Sequence, residues 1–494
     1  MISFVLFSIL FIAPSFADDL TCPNSPITSN VPSGHFPLNG LAKFPANYDC
    51  SVEFEIPDGQ VIKFIVQTDA LFENLDSFVI RDSRSTLYKM DVGESVFFAA
   101  ANNSKVYIST NSGKASFYFS WQYIDVSKFT RIQNPTGTVL NLNLTANSFY
   151  QFVSSADQVA FHTSALGILS DSSIWKIYVY DGEDLNAKFM GNLKQFTNIG
   201  SSSTRKSLSL VNFYETPSQS YGIANDYSIV SRYKDYSLRI LSSGSDFFER
   251  FFVPDGVKSA VTFFCPDSME TYITGLTIVK QNFPGEKFVS FTPLTPTHAY
   301  SNVLAYSVGD PIYRSLPQQI LSDTFTMVAY QSAVSLSLTC GPYPNWGYVF
   351  PGRRGYIISP SIWNPTTLKT PSYSTNFTSS ETVRFNINLP DVVIGDPGAK
   401  IRVEFGAPGK TPVGVEFNET TSGAGARSAN ATYMSVTFDG TTVKSSFSFV
   451  FNVESLFPST STTTDTPFET TTKSSAIIFK CSMVFIILVK FLNF

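Results

Sequence analysis

The sequence predicts an all-β protein made of tandem antiparallel β-sandwiches of the jelly-roll type. Three observations predict it. Apolar residues alternate with polar ones at a period of two along many short runs. Gly, Pro, Asn and Asp interrupt those runs every ~8–12 residues, the rhythm of a sandwich. Aromatic residues make up 15% of the chain, with 46 Phe and 23 Tyr, and such weight suits pleated sheets. No stretch sustains a 3.6-residue period with caps at both ends.

The alternation locates individual strands. Val52, Phe54 and Ile56 share one face, with Glu53 and Glu55 on the other. Phe117, Phe119, Trp121 and Tyr123 alternate with Tyr118, Ser120 and Gln122. Trp175, Ile177 and Val179 alternate with Lys176, Tyr178 and Tyr180. Ile401, Val403 and Phe405 alternate with Lys400, Arg402 and Glu404; Phe447, Phe449, Phe451 and Val453 repeat the pattern near the end.

At 494 residues the chain has room for about three to five folding units. A faint repeat divides it. Ile56-Pro57-Asp58-Gly59 ends one strand and turns into the next, Val253-Pro254-Asp255-Gly256 and Leu389-Pro390-Asp391 look alike, and residues 153–157 resemble a decayed copy. Pro fixes φ, Asp bonds its own backbone and Gly tolerates positive φ, so such a run turns the chain for a stated reason. The recurrence suggests four sandwiches, over residues 18–126, 127–241, 242–342 and 343–454, although the last interval is irregular.

Both ends read as processing or anchoring segments. Residues 1–17 carry an apolar run too short to span a bilayer, then Ser15-Phe16-Ala17, which predicts a signal peptide cleaved before Asp18. Residues 455–475 form a stalk in which 459–472 hold ten Ser/Thr, a composition of O-glycosylated segments. Ser474 and Ser475 then precede an apolar tail, 476–494, in the order of a GPI-attachment signal. The polar spacer is nearly absent, and Lys480 and Lys490 interrupt the tail. A spanning helix is the rival reading, but it needs ~20 apolar residues, and each Lys inside costs about 2.5–3.5 kcal/mol. A soluble product is the third.

The cysteines are Cys22, Cys50, Cys265, Cys340 and Cys481. Trimming the tail leaves an even four, which in a signal-bearing chain implies disulfides. Three connectivities exist, and sequence proximity favours Cys22–Cys50 and Cys265–Cys340. Loops of those lengths give roughly 3.6 and 4.5 kcal/mol in the chain-entropy model. Glycosylation sequons stand at Asn102, Asn143, Asn376, Asn418 and Asn430.

The run Tyr48-Asp49-Cys50-Ser51-Val52-Glu53-Phe54-Glu55-Ile56-Pro57-Asp58-Gly59, following Cys22, resembles the opening of a CUB domain. Asp76-Ser77-Phe78-Val79-Ile80-Arg81-Asp82 resembles a later CUB strand, and residues 117–123 its closing aromatic strand. More narrowly, residues 22–124 are similar to the nematode CUB-like family of secreted proteins. Residues 173–182 resemble the Asp-flanked strand in a second copy, and Gly355-Tyr356-Ile357-Ile358-Ser359-Pro360 the start of a copy without cysteines. The usual second CUB disulfide has no counterpart in the first unit. Many CUB domains bind Ca²⁺, and by position Asp69 or Glu73 and Asp76 stand for two ligands. Thr110-Asn111 replaces the third acid. Ca²⁺ wants six to eight oxygens, so the expectation is no cofactor and solvated loop acids.

Other chemistry is sparse. Net charge is −5 and no Lys/Arg cluster stands out, which argues against nucleic acid as a partner. Only His35, His162 and His298 are present, and neither a Gly-x-Ser-x-Gly elbow nor a His-Glu-x-x-His pair occurs. Gly406-Ala407-Pro408-Gly409-Lys410-Thr411 has two residues where a phosphate loop needs four, and reads as a hairpin loop. Tyr343, Trp346 and Tyr348 share one loop, read either as a ligand surface or as inter-domain packing. The expected role is a non-enzymatic binding or adhesion protein outside the cell, held to the membrane by a lipid anchor and meeting a glycan or protein ligand. The resemblance implies a part in innate defence against microbes. A structural coat of the glycocalyx is the alternative, and a secreted hydrolase a more distant one.

Overall fold

The computed structural model describes residues 20–165, 171–198, 202–279, 288–366, 372–440 and 444–456. The expected signal peptide, the stalk beyond residue 456, Ser474, Ser475 and the apolar tail with Cys481 lie outside these residues, while Ser455 closes the last strand. The described residues are nearly all-β, with little helix, and their sheets are mostly antiparallel.

In the first unit, Tyr48–Thr68 pairs with Gly93–Thr110 along nearly its whole length, and the register shifts between Ile56 and Val61. Ten residues of straight strand would separate Phe54 from Phe64 by ~33 Å. Their ring centroids lie 5.0 Å apart, edge to face. The strand therefore doubles back at Pro57-Asp58-Gly59, and one continuous sheet folds into two layers. Val52, Phe54 and Ile56 on one layer meet Phe64, Phe119 and Trp121 on the other, all buried as the alternation predicts. The sheet order is Ser33–Phe36, Ser116–Asp125, Tyr48–Thr68, Gly93–Thr110, Ser77–Arg81, Leu87–Lys89.

The fourth unit repeats that order strand for strand: Arg354–Ile358, Ser446–Ser455, Tyr373–Val393, Thr421–Asp439, Lys400–Gly406, Val413–Phe417. Its long strand also folds over, because Phe377 touches Phe451 at 4.7 Å although Phe451 pairs with Ile387, ten residues further along the same strand. A cross-strand glycine recurs with it. Gly34 faces Trp121 and Gly355 faces Phe451, and a Cβ on either glycine would fall within 3 Å of the opposing ring.

The two middle units keep the connectivity but break the long strands into separate ones. In the second, Lys188–Asn192, Ile177–Asp181, Ser207–Asn212 and Ser148–Val153 form one layer, and Val159–Ala165, Ser220–Asp226 and Val139–Asn141 the other. In the third, Leu304–Ser307, Phe288–Pro293, Thr324–Tyr330 and Lys258–Phe264 face Gln318–Ile320, Thr271–Val279, Ala333–Cys340 and Asp246–Phe252. Each unit adds a parallel partner at one edge. Thr130–Pro135 runs beside Ser148–Val153 and Tyr236–Ile240 beside Lys258–Phe264. Single parallel bridges, Ile27 to Phe54 and Tyr348 to Thr378, hold the same place in the outer units. Tyr236–Ile240, assigned to the second unit by sequence position, thus belongs to a sheet of the third.

This topology corrects the repeat read from sequence. The corners between layers fall at Pro57-Asp58-Gly59, at residues 154–158, at 265–270 and at 379–382, spaced by roughly a hundred residues. Pro254-Asp255-Gly256 is an ordinary connection into Lys258–Phe264, and Pro390-Asp391 lies near the end of Tyr373–Val393. The irregular interval came from those two.

One strand also departs from its predicted pattern. Trp175 sits exposed in a 3₁₀ turn, Ser172–Lys176. Ile177, Tyr178, Val179 and Tyr180 are then all buried. Ile177 and Val179 fill the core of their own unit, while Tyr178 and Tyr180 pack into the junction with the first. A strand covered on both faces loses its polar side.

Candidate functional site

The structure contains the two favoured disulfides. Cys22–Cys50 ties the segment before the first sheet to the start of Tyr48–Thr68, with Cα atoms 5.5 Å apart. Cys265–Cys340 ties the corner of the third unit to the end of Ala333–Cys340, with Cα atoms 6.2 Å apart.

The three acids considered for Ca²⁺ do not converge. Glu73 and Asp69 are exposed, and Asp69 accepts a hydrogen bond from the Ser116 amide. Asp76 is buried, which corrects the expectation of a solvated acid. It accepts from the Asn111 and Ser112 amides and the Ser112 hydroxyl. Burial pushes its carboxyl up, but these donors outweigh it and hold the group below its usual range. Among the described residues no three His, Cys, Asp or Glu are grouped to hold a metal.

Asp76 instead has structural counterparts. Asp171 stands before Ile177–Asp181 as Asp76 stands before Ser77–Arg81, and it receives Ser173, Ser218, Gln219 and Ser220. Burial raises the Asp171 carboxyl, and the serine donors lower it further than burial raises it, to well below the ordinary carboxylate value. In the fourth unit Asp396 receives the Ser445 hydroxyl at 3.0 Å. Each acid clamps the loop that leads into the final strand of its unit.

The aromatic loop is mostly packing. Trp346 is 6% exposed, which removes it as a recognition residue. Its Nε1 donates to Thr375 Oγ1 at 3.0 Å, and its ring meets Phe377 and Tyr272, which come from different units. Tyr343 is half-buried against Tyr272, and Tyr348 alone of the three is exposed. Beneath the loop lies Arg353, which sequence reasoning missed. Its guanidinium is fully buried between Trp346, Phe377 and Phe451 and donates to the Trp346 carbonyl at 2.8 Å. Burial lowers it to about 10, so it stays charged at neutral pH.

The first two junctions show why the units do not act as loose beads. Between the first and second, Tyr178 donates to the Phe98 carbonyl, and the Phe98 amide donates to Tyr214 Oη at 3.2 Å. Phe98 also packs on Phe213 and Tyr214. Between the second and third, Asp226 accepts Thr136, Ser154 and Ser155 hydroxyls, while its amide donates to Thr297 Oγ1. Thr295 Oγ1 lies 3.0 Å from His298 Nδ1 and donates to the Gly137 carbonyl. That hydroxyl–imidazole pair docks one unit on the next; the Thr295 hydroxyl is buried and already committed. His162 packs edge-on against Tyr236 across the same junction, and burial holds its imidazole down at about 4.

A cleft of about 630 Å³ opens between the first and second units, lined by Asp58, Arg84, Asn102, Asn186 and Lys188 among others. Asn102 is exposed at its rim, and Asn143, Asn376, Asn418 and Asn430 are exposed as well. No helix among the described residues is long and apolar enough to cross a membrane.

Residues 17–127 match the CUB-like domain family. The strands of the first unit, the Cys22–Cys50 bond and the Asp76 clamp fall within the matched residues. No curated protein matches the chain in sequence. Among solved structures, the CUB1-EGF-CUB2 domains of rat MASP-1 align at 10% identity over 44% of this chain and 100% of theirs, with a TM-score of 0.16. The same region of human MASP-1/3 aligns at 11% over 43% and 94%, with a TM-score of 0.16. The full extracellular region of zebrafish Gpr126/Adgrg6 aligns at 9% over 66% and 53%, with a TM-score of 0.18.

Proposed function

We propose that this protein is an extracellular binding or adhesion protein, built from four CUB-like sandwiches and held at the cell surface by a lipid anchor. One observation carries the reading. A disulfide-stapled CUB-like unit stands first, and three further sandwiches follow with the same strand connectivity. Disulfides persist in oxidising compartments. Exposed loops on rigid sheets are the usual carriers of recognition, and the exposed sequons are compatible with glycan addition at all five. Defence against microbes is the role that the resemblance to secreted nematode proteins favours.

Phospholipase treatment of intact cells expressing the full chain tests the anchor, with release into the medium expected. Retention after treatment would favour a spanning tail. Incubating the released protein with microbial cells and host glycans tests adhesion. A protein that reaches the surface and binds neither would instead be a coat component.

A further inference from the structure

The third unit carries a basic groove that no sequence run announces. Lys258 pairs in register with Tyr330, and Tyr330 with Phe288, so the three form one row across adjacent strands. Lys258 Nζ lies 5.9 Å from the Tyr330 ring centroid, and the Phe288 and Tyr330 rings are 5.5 Å apart. The Lys234 amide donates to the Lys258 carbonyl at 2.7 Å, which brings Arg232, Tyr233 and Lys234 alongside that row. The hollow measures about 780 Å³ and continues into a smaller one of about 190 Å³ that shares Tyr233, Lys258 and Phe288. Ser290 and Thr292 line the smaller part, and the Thr292 hydroxyl, which donates to the Thr326 carbonyl at 3.3 Å, keeps its acceptor lone pairs.

Among the described residues no acid lines either hollow. Among the described residues no carboxylate lies within 4 Å of Arg232, Lys234 or Lys258; the ion pairs elsewhere involve Lys128, Arg239 and Arg402. Arg232, Lys234 and Lys258 are exposed, and Arg232 Nε donates to the Ser228 carbonyl at 3.0 Å, so in a chain of net charge −5 this edge presents positive charge that an anion can meet. Half-buried rings offer flat apolar faces to C–H surfaces, and hydroxyls offer directional hydrogen bonds. A volume of this size falls in the usual range for ligand sites, ~300–1,000 Å³.

We propose that this groove binds an acidic oligosaccharide, its sulfate or uronate groups meeting Arg232, Lys234 and Lys258 and its sugar rings lying on Tyr330 and Phe288. The proposal deepens the adhesion reading and rests on it. The test is calorimetric titration of the full glycosylated protein with a heparin-derived sulfated hexasaccharide, an oligogalacturonate, their neutral counterparts and a poly-glutamate peptide. Binding of at least one acidic sugar is expected, weakened by salt and absent for the neutral forms. The exposed triple change R232E/K234E/K258E weakens it at least about tenfold, and Lys258→Glu alone does so in part. A control variant, R81E/K105E, alters the cations that lie over Tyr107 on the first unit and leaves affinity unchanged. Equal loss in the control, no loss in the triple variant, or poly-glutamate binding as tight as the sugar would overturn the assignment. Adhesion to cells with indifference to every acidic sugar would sink the groove and leave the adhesion reading standing. Sugar binding by a protein retained inside cells would do the reverse.

Discussion

Asp171 draws two amides and three hydroxyls onto one carboxylate, and this sets its response to acid. A carboxyl held below its unfolded value, ~3.9, contributes its full stability above that pH and loses it as pH falls through the folded value. Asp171→Ala is expected to destabilise the second unit by about 2 kcal/mol, read as faster amide exchange in the strands of that unit, which run from Thr130–Pro135 to Ser220–Asp226. Histidine supplies a second acid response at higher pH. His162 titrates near 4 when folded, against ~6.5 unfolded, so the unfolded chain takes up the proton first. Stability is full above pH ~6.5 and declines between there and about 4, by on the order of 3 kcal/mol. Burial also lowers His298, with Asp226 opposing it, and adds a loss of the same sign. His162→Phe keeps the ring contact with Tyr236 and is expected to flatten melting temperature against pH across that window; an unchanged slope would exclude the residue as its source.

At the scale of elements, the folded-over strand sets the architecture. Tyr48–Thr68 and Tyr373–Val393 each serve both layers, so a fault at the corner misplaces two sheets at once. Gly34 and Gly355 let the closing aromatic lie flat over the first strand. Gly34→Ala and Gly355→Ala should each lower the melting transition of their own unit, because the added Cβ meets a ring that is itself enclosed. The Trp346 loop behaves as core. Trp346→Ala is expected to cost about 3–5 kcal/mol, since it strips one wall from the Arg353 cage, and to leave ligand affinity untouched in the fraction that stays folded. Loss of ligand binding without loss of stability would restore the loop to a recognition role.

Across the whole molecule, interfaces decide whether four units act separately. Inter-domain motion is the default unless a junction is large and apolar. Here one apolar cluster runs unbroken from the third unit into the fourth, and Phe98, Tyr178, Phe213 and Tyr214 join the first two. Small-angle scattering of the intact protein should therefore report one stiff particle. The double change F98A/Y178A should add flexibility at the first junction alone. Removing the Cys265–Cys340 bond should cost about 2–5 kcal/mol in the third unit and leave the first unit's transition in place.

The order of residues alone determined the strands whose one face meets water. Val52-Phe54-Ile56 and Ile401-Val403-Phe405 could be read directly because a half-buried strand must alternate. Proximity along the chain also favoured the two sulfur bridges. Tertiary structure decided what depends on partners distant in sequence. Tyr178 and Tyr180 are buried because another unit covers them, and Asp76 is buried because residues 111–112 come to it. Lys258 gains Arg232 and Lys234 as neighbours through a parallel pairing that leaves no periodic mark. Local pattern records whether a side chain faces solvent within its own strand; what covers it from elsewhere is settled only when the layers pack.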